Sequence, residues 1–596
     1  MPVLDFPSGK VKAGIYDPLS DIFCFKNIRY GAPPVGELRF AKPQKPERNG
    51  TLSDGGYGPS CIQSKAPASK KRQLSGPEQG PTDEDCLFLD LYVSGKQLRD
   101  GAPKVPVMNW IFGGGFIFGS KDQADGLPLV RAAQGHLVFV ASNYRLGAFG
   151  FAAGATMERD AQPNAGLYDQ QAVLQWIQDN IEIVNGDKGN VTIMGESAGA
   201  GSIMHHITAF GGNHDPQFHR AILQSPAFQN FYDRRGALED NFQKFAQNAG
   251  CGFRGGDAIP CLRNASASAL ISGNDAVTST APPSTYGFGP SADGQFVRQV
   301  PALELVSGNY FKNIDALILS HVADEAGAFI PASLNSNDKF DAFLPLFLTG
   351  SNSKVMNAVM NEYPRTDIRD PKWTNIQDRE KYFIRDSTFT CNIRYMADAF
   401  SKSTPTWNVQ YGRGPGLHGY DILANFYNTG SPLLNFLTAF YGQQAQGPDF
   451  PSFAASYQSY LMSFATTGDP NRLRRQQDPI PTIDWPKVED IEGRNYFGNV
   501  LNASDAGFQV IDDDKAPVDA CGFWVNALAA LTTLGGYSPQ GAVVPNNILG
   551  NGTDENPPSP SATGEPPKGA AASMKAGGGL SLLLCVYGFF MIFYLF

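Results

Sequence analysis

Apolar runs of strand length recur along the first 535 residues, separated by polar loops. Four of them are rich in β-branched and aromatic side chains, as buried strands are: 105–112 (VPVMNWIF), 191–194 (VTIM), 314–319 (IDALIL) and 407–411 (WNVQY). The second run passes through a short turn into a helix-like stretch. This pattern predicts an α/β protein, with a central, mostly parallel, twisted sheet flanked by helices.

The pattern changes after residue 535. Residues 536–579 are rich in Pro, Gly, Ser and Ala, which predicts a disordered stalk. Residues 580–596 form an apolar tail that follows small residues and a polar spacer, the arrangement of a glycolipid (GPI) anchor signal. A tail-anchored membrane helix is the alternative. We therefore expect a folded domain at 1–535 and a membrane attachment through the tail or a glycolipid.

The N-terminus does not match that expectation. Residues 1–30 contain no apolar run of signal-peptide length, and their alternating pattern predicts strands. A glycolipid-anchored protein must enter the secretory pathway. We therefore expect the natural start to lie upstream of Met1.

Charge and composition exclude several classes of function. The formal net charge of −10 argues against nucleic-acid binding, which needs a basic surface. The eight cysteines include no CxxC pair and no histidine at metal-ligand spacing, so neither a metal nor another cofactor is expected. Of the five Asn-x-Ser/Thr sequons, Asn190 abuts a strand expected to be buried, which leaves as glycosylation candidates Asn49, Asn264, Asn502 and Asn551. Sequons and spaced cysteines together favour an extracellular or cell-surface protein.

The turn after residues 191–194 carries Gly195-Glu196-Ser197-Ala198-Gly199. A strand, G-x-S-x-G and a helix in that order form a nucleophile elbow, which raises the serine hydroxyl above the sheet. Glycines are needed because a Cβ at either flank would collide with the neighbouring strand or helix. We therefore predict Ser197 as the nucleophile of an acyl-transfer reaction.

A nucleophilic serine needs hydrogen-bond donors for the oxyanion that forms. The first predicted strand ends at Gly113-Gly114-Gly115-Phe116, where backbone N–H groups can approach the developing charge. A glycine-rich strand end is also an ordinary turn, but together with an elbow it predicts an oxyanion hole. The expected donors are the N–H groups of Gly114, Gly115 and Ala198.

The general base can be found by elimination among seven histidines: His136, His205, His206, His214, His219, His321 and His418. The chain order in this fold is serine, acid, histidine, which leaves His321 and His418 because the others precede Ser197 or follow it too closely. Only His418 leaves room for an acid before it, in the pair Asp324-Glu325. His418 is therefore the predicted base, and the chemistry alone leaves Asp324 and Glu325 equally eligible as the acid.

Seven stretches in a fixed order carry a family resemblance: 25–40 (FKNIRYGAPPVGELRF), 84–90 (EDCLFLD), 143–147 (NYRLG), 164–169 (NAGLYD), 195–199 (GESAG), 467–471 (TGDPN) and 521–524 (CGFW). Together they resemble the type-B carboxylesterases, the family that includes cholinesterases and some lipases. The resemblance covers nearly all of the predicted domain. It implies the α/β-hydrolase fold and a serine carboxylesterase that acts on a small-molecule ester.

The resemblance also assigns residues. It places the triad on Ser197, Glu325 and His418, which selects the second acid of the pair. Relatives have glycine directly after this acid, whereas here Ala326 lies between Glu325 and Gly327. The geometry of this loop can therefore differ from that in relatives. The implied disulfides are Cys61–Cys86, Cys251–Cys261 and Cys391–Cys521, which leaves Cys24 as a buried free thiol.

The loop closed by Cys61–Cys86 bears on the substrate. In lipase relatives it is a lid with an apolar inner face, and in cholinesterases it supplies a Trp that binds a quaternary ammonium. Here its large apolar residues are Ile62 and Leu74, and it has no aromatic residue. This composition favours soluble or short-to-medium-chain esters over lipid or choline esters.

Three aromatic residues are expected in the substrate pocket: Phe116, Tyr286 and Phe288. Two alternatives to a soluble esterase remain, namely an interfacial lipase and a non-catalytic recognition or adhesion protein on the same fold. Non-catalytic relatives lack the nucleophile, so the complete triad favours an enzyme. The sequence indicates no particular protein partner.

Overall fold

The computed structural model describes residues 1–64, 81–252, 257–369, 371–428, 447–477, 479–490 and 492–534. The stalk and tail predicted at 536–579 and 580–596 lie outside these residues, as does Asn551. In the part of the chain that is described, no helix combines the length and the apolar character needed to cross a membrane.

Seventeen strands are present in the described residues, and the predicted N-terminal strands are the first four of them. They are β1 (Val3–Phe6), β2 (Gly9–Lys12), β3 (Ile15–Asp17), β4 (Ile22–Arg29), β5 (Asn49–Ser53), β6 (Ser60–Cys61), β7 (Thr82–Asp83), β8 (Phe88–Ser94), β9 (Val105–Ile111), β10 (Val138–Ser142), β11 (Gly186–Glu196), β12 (Arg220–Gln224), β13 (Ala316–Val322), β14 (Thr406–Gly412), β15 (Glu489–Asp490), β16 (Phe497–Ser504) and β17 (Gly507–Asp513).

Twelve of these strands form one large sheet. Its order is β15-β16-β14-β13-β12-β11-β9-β10-β8-β4-β3, with β17 also paired to β16. The central strands from β16 to β10 run parallel to one another, and antiparallel strands lie at both edges. The predicted α/β architecture with a mostly parallel centre is confirmed.

The central strands are apolar because both faces of the sheet are covered. Every residue of β10 (VFVAS) and of β13 (ALILSHV) is buried. Parallel strands covered on both faces read as continuous apolar runs, which is why the sequence pattern located them. Two strands depart most from the prediction: β11 begins at Gly186, and β13 extends to Val322, so that His321 lies within the strand.

The helices pack around this sheet. The α-helices are Leu127–Ala132, Gly147–Phe151, Ala155–Asp160, Ala165–Asn180, Ala198–Thr208, Ala237–Asn248, Ala258–Asn264, Ala267–Thr278, Pro301–Val306, Asn337–Phe347, Ser353–Glu362, Ile376–Ile384, Cys391–Phe400, Asp421–Asn425, Phe450–Thr467 and Val518–Leu534. A π-helix, Arg385–Thr390, joins two of them.

Three disulfides cross-link the described residues: Cys61–Cys86, Cys251–Cys261 and Cys391–Cys521. These are the pairs that the family resemblance implied. The third links the helix that begins at Cys391 to the helix Val518–Leu534, across a sequence separation of 130 residues. Cys24 is a buried free thiol.

Candidate active site

Ser197 occupies a strained turn between β11 and the helix Ala198–Thr208. Its φ of 54° and ψ of −123° are rarely adopted by a residue with a side chain. The flanking glycines permit the turn, because a Cβ on Gly195 would lie 2.6 Å from the carbonyl carbon of Gly199, and one on Gly199 would lie 2.0 Å from the carbonyl oxygen of Ile111. The local sequence therefore dictates an elbow that holds the serine at the end of its strand.

The glycine-rich stretch lies beside this elbow. A Cβ on Gly113 would lie 2.9 Å from the Cβ of Ser197. Among the described residues, no acceptor takes a hydrogen bond from the backbone N–H of Gly114 or Gly115. Ala198 is the first residue of its helix, so its N–H has no acceptor within the helix. These three N–H groups are available to a negative charge that forms near the serine.

His418 and Glu325 are in direct contact. His418 Nδ1 lies 2.6 Å from Glu325 Oε2, and the other oxygen of Glu325 accepts a hydrogen bond of 2.9 Å from the Val322 N–H. Both side chains are buried. Each follows a strand, β14 for His418 and β13 for Glu325, and these strands are adjacent in the sheet.

Asp324, the other candidate acid, points elsewhere. Its carboxylate pairs with Lys381 Nζ at 2.8 Å. The backbone N–H of Asp324 donates to the Gly416 carbonyl at 2.8 Å, which joins the loop after β13 to the loop after β14. The structure thus separates two acids that the sequence chemistry left equivalent. Ala326, the departure from the family pattern, is accommodated in a buried position while the contact between Glu325 and His418 is kept.

Two further buried carboxyl groups lie near the histidine. Glu196 Oε1 is 3.3 Å from His418 Nε2, on the residue that directly precedes Ser197. Asp421 lies three residues after His418 and accepts a hydrogen bond of 2.9 Å from Gln224 Nε2. Sequence reasoning identified neither carboxyl group, although Glu196 adjoins Ser197 in the chain and Asp421 lies close to His418.

These carboxyl groups change the protonation of the site. Burial by itself lowers the pKa of His418, but the nearby Glu196 and Glu325 outweigh it and raise that pKa to about 9. Burial raises the pKa of Glu196 and of Asp421, although His418 opposes both changes. The cluster therefore holds protons more tightly than isolated side chains would, and a base function of His418 is favoured toward alkaline pH.

Three of the other histidines contact partners away from Ser197. His321 is buried within the sheet, with Nε2 3.2 Å from Asp513 Oδ2. His205 and His206 are buried in the helix that follows the elbow, where burial lowers the pKa of His205 to about 4 and that of His206 to about 3. Both contact partners within the fold, Gly201 O and Gln170 Oε1.

A cavity that opens to solvent lies against Ser197 and Gly115. The three residues predicted for the substrate pocket, Phe116, Tyr286 and Phe288, all line it. The Tyr286 ring lies so close to position 115 that only glycine fits there, because a Cβ on Gly115 would lie 2.8 Å from the ring.

Further aromatic rings complete the wall, and sequence reasoning did not identify them: Phe228, Phe329, Phe347 and Phe389. Phe389 is presented by the π-helix Arg385–Thr390, and its ring centre lies 4.7 Å from that of His418. The ring of Phe329 lies 5.1 Å from the same imidazole. The cavity wall therefore also packs against the histidine.

Comparison with known proteins identifies relatives over most of the chain. The model of the carboxylesterase family matches residues 1–506. The secreted lipase of Arthroderma benhamiae is 36% identical over 549 residues, covering 90% of this chain and 95% of that protein. Carboxylesterase patB of Penicillium expansum is 27% identical, with 88% and 95% covered. The crystal structure of Aspergillus niger EstA is 26% identical with a TM-score of 0.72, covering 88% of this chain and 97% of that chain.

Proposed function

The chain belongs to the carboxylesterase family, has the α/β-hydrolase fold and is a serine carboxylic ester hydrolase, and we propose that it works through a triad of Ser197, His418 and Glu325. The observation that carries the proposal is the 2.6 Å contact between His418 Nδ1 and Glu325 Oε2, made beside the strained elbow of Ser197. The remaining ring nitrogen faces Glu196, next in the chain to the nucleophile.

The proposed reaction has two halves. His418 Nε2 takes the proton of Ser197 as the hydroxyl oxygen attacks the ester carbonyl, and Glu325 holds the ring in place and stabilises its charge. The oxyanion receives hydrogen bonds from the N–H groups of Gly114, Gly115 and Ala198. The leaving alcohol takes the proton from His418, and water, activated by the same base, then hydrolyses the acyl-enzyme.

We propose soluble or short-to-medium-chain esters as substrates, because the sequence of the loop from Cys61 to Cys86 offers few apolar side chains. Residues 65–80 of this loop lie outside the described residues. An interfacial lipase is the second candidate, favoured by the name of the relative from Arthroderma benhamiae. The two differ in whether activity rises when the ester forms an emulsion.

The test is hydrolysis of p-nitrophenyl esters, from acetate to palmitate, by the full chain made in an oxidising host and by Ser197→Ala. We expect the variant to stay folded and to lose activity by at least about 10³-fold. Highest activity on dissolved esters supports the esterase, and a rise above the solubility limit supports the lipase. A folded wild-type protein that is inert on every ester and resists a fluorophosphonate probe would favour the recognition protein instead.

We also propose that the protein is exported, because its disulfides suit an oxidising compartment and the relative from Arthroderma benhamiae is secreted. Asn49 and Asn264 are exposed and are the preferred glycan sites, whereas Asn502 is half-buried in β16. The tail at 580–596 is proposed to direct glycolipid attachment. Peptide mapping after glycosidase treatment tests the glycan sites, and release from cells by a phosphatidylinositol-specific phospholipase tests the glycolipid attachment.

A further inference from the structure

The loop that follows β12 brings a polar side chain into the aromatic cavity. Ala227 on this loop donates its N–H to the Ser197 carbonyl oxygen at 3.1 Å, so the loop is tied to the nucleophile. Two residues later, Gln229 lines the cavity together with Ser197 and Gly115. A ligand that enters the cavity from the nucleophile therefore meets Gln229.

The amide of Gln229 is incompletely satisfied. Its Oε1 is buried and has no hydrogen-bond partner in the described part of the chain. Two other polar side chains of the lining differ, because Ser284 Oγ donates to the Phe329 carbonyl at 2.7 Å and Thr388 Oγ1 lies 3.3 Å from Ser387 Oγ. A buried acceptor without a donor is costly, and a ligand in the cavity that supplies a donor would remove this cost.

The rest of the lining restricts what that donor can be. Phenylalanine and tyrosine rings surround the cavity, and flat apolar groups pack on such rings by edge and face contacts. Within the described residues the cavity shows no charged lining side chain to bind an ionised group. A ligand that fits both features is an uncharged aromatic group that carries a hydrogen-bond donor such as a hydroxyl.

Resting on the proposed function, we propose that the acyl group of the substrate is an aromatic acid carrying a phenolic hydroxyl, and that Gln229 determines this specificity by accepting the hydroxyl proton in a hydrogen bond. The acyl side is assigned because the cavity begins at Ser197 and Gly115. Ser197 bonds the acyl carbon, and the Gly115 N–H faces the oxygen on that carbon.

The expected size of the preference follows from the orphaned acceptor. An ester that supplies the missing donor should react roughly 5- to 150-fold faster, in kcat/KM, than the same ester without the hydroxyl. Sites built to bind a substrate hydroxyl reject the analogue that lacks it, because their polar group is then left unpaired.

The test uses methyl esters of 3-phenylpropanoate and of its 3-hydroxyphenyl, 4-hydroxyphenyl and 4-methoxyphenyl analogues, so that the leaving group is constant. With wild-type enzyme we expect one hydroxylated ester to be preferred and the methoxy ester, which cannot donate, not to be. Gln229→Met should bring the ratio of hydroxylated to unsubstituted ester close to one. The control Gln175→Met, at an exposed position of the helix Ala165–Asn180, should keep the wild-type ratio.

Failure of this inference can be separated from failure of the proposed function. Labelling by a fluorophosphonate and hydrolysis of p-nitrophenyl acetate report on the triad alone. If both succeed, the inference is overturned by a wild-type ratio near one, by equal preference for the methoxy ester, or by a ratio that Gln229→Met leaves unchanged. Acetate esters of the matching 3-phenylpropanols carry the ring in the alcohol part, and a hydroxyl preference seen only with these esters overturns the assignment to the acyl side.

Discussion

Replacing Glu196 by Gln should move the pH dependence of the esterase to lower pH. The carboxylate lies 3.3 Å from His418 Nε2, and its charge favours the protonated imidazole, which cannot act as a base. Glutamine keeps the shape of the side chain and removes the charge. The pKa of His418 should therefore fall, and activity should appear at lower pH than in the wild-type enzyme.

The size of the change can be bounded. Two unit charges 3.3 Å apart interact by about 5 kcal/mol at an effective dielectric constant of about 20, which corresponds to more than about three pKa units. However, burial raises the pKa of Glu196 to about 8, so the two groups titrate in the same pH range and only part of this interaction acts on the pKa of His418. We therefore expect the acid limb of the pH profile to move down by about one pH unit.

The assay is kcat/KM for p-nitrophenyl acetate between pH 5 and 10. The exposed Glu182→Gln serves as a matched control for loss of one negative charge, and its profile should follow that of the wild type. Glu325→Gln should act differently, lowering the plateau roughly 10³- to 10⁴-fold because the ring loses its orienting partner. An acid limb of Glu196→Gln that stays in place or moves to higher pH would refute the reasoning.

Three further predictions concern stability, measured by urea unfolding. Glu380 is buried, and neither of its carboxyl oxygens has a hydrogen-bond partner in the described residues. Burial raises its pKa to about 8, so the folded state holds this proton more tightly than the unfolded state. Stability should therefore fall as pH rises from about 4.5 through 8, and Glu380→Gln should remove this loss. Loss of Cys391–Cys521, whose sequence separation is 130, should cost about 5 kcal/mol, against about 3 kcal/mol for Cys251–Cys261, whose separation is 10; equal costs would contradict the loop-entropy argument. Gly199→Ala should cost roughly 3 kcal/mol or more, because its Cβ would meet the Ile111 carbonyl oxygen, whereas Gly522→Ala, with open space at that position, should be neutral or stabilising.

Local pattern was enough to predict the candidate site. The elbow at Ser197 and the strands that precede Glu325 and His418 are short-range features, in which apolar runs, glycines and chain order carry the information. Burial on both faces of the sheet makes those strands continuous apolar runs, which the sequence pattern reveals. The end of β13 was misjudged because His321, a polar residue, continues the strand by pairing with Asp513, a partner from a distant part of the chain.

Contacts between distant segments could not be read in this way. The choice between Asp324 and Glu325 depends on Lys381, which draws the first of them away. The position of Phe389 over the imidazole depends on a π-helix, which no periodicity in the sequence announced. The absence of a hydrogen-bond partner for Gln229 Oε1 in the described residues is visible only once the cavity around it is known.

The long excursion between β13 and β14, residues 323–405, separates catalysis from substrate selection within one enzyme. The proposed catalytic groups follow β11, β13 and β14 in the parallel centre of one sheet, whereas much of the cavity wall comes from the excursion that carries Phe347 and the π-helix. Changes in the parts of the excursion that do not contact His418 can therefore accumulate without displacing the strand ends. A lineage, or an engineer, could exchange these residues to reach new esters while the inherited chemistry stays intact, which makes the excursion the natural target for directed evolution of selectivity.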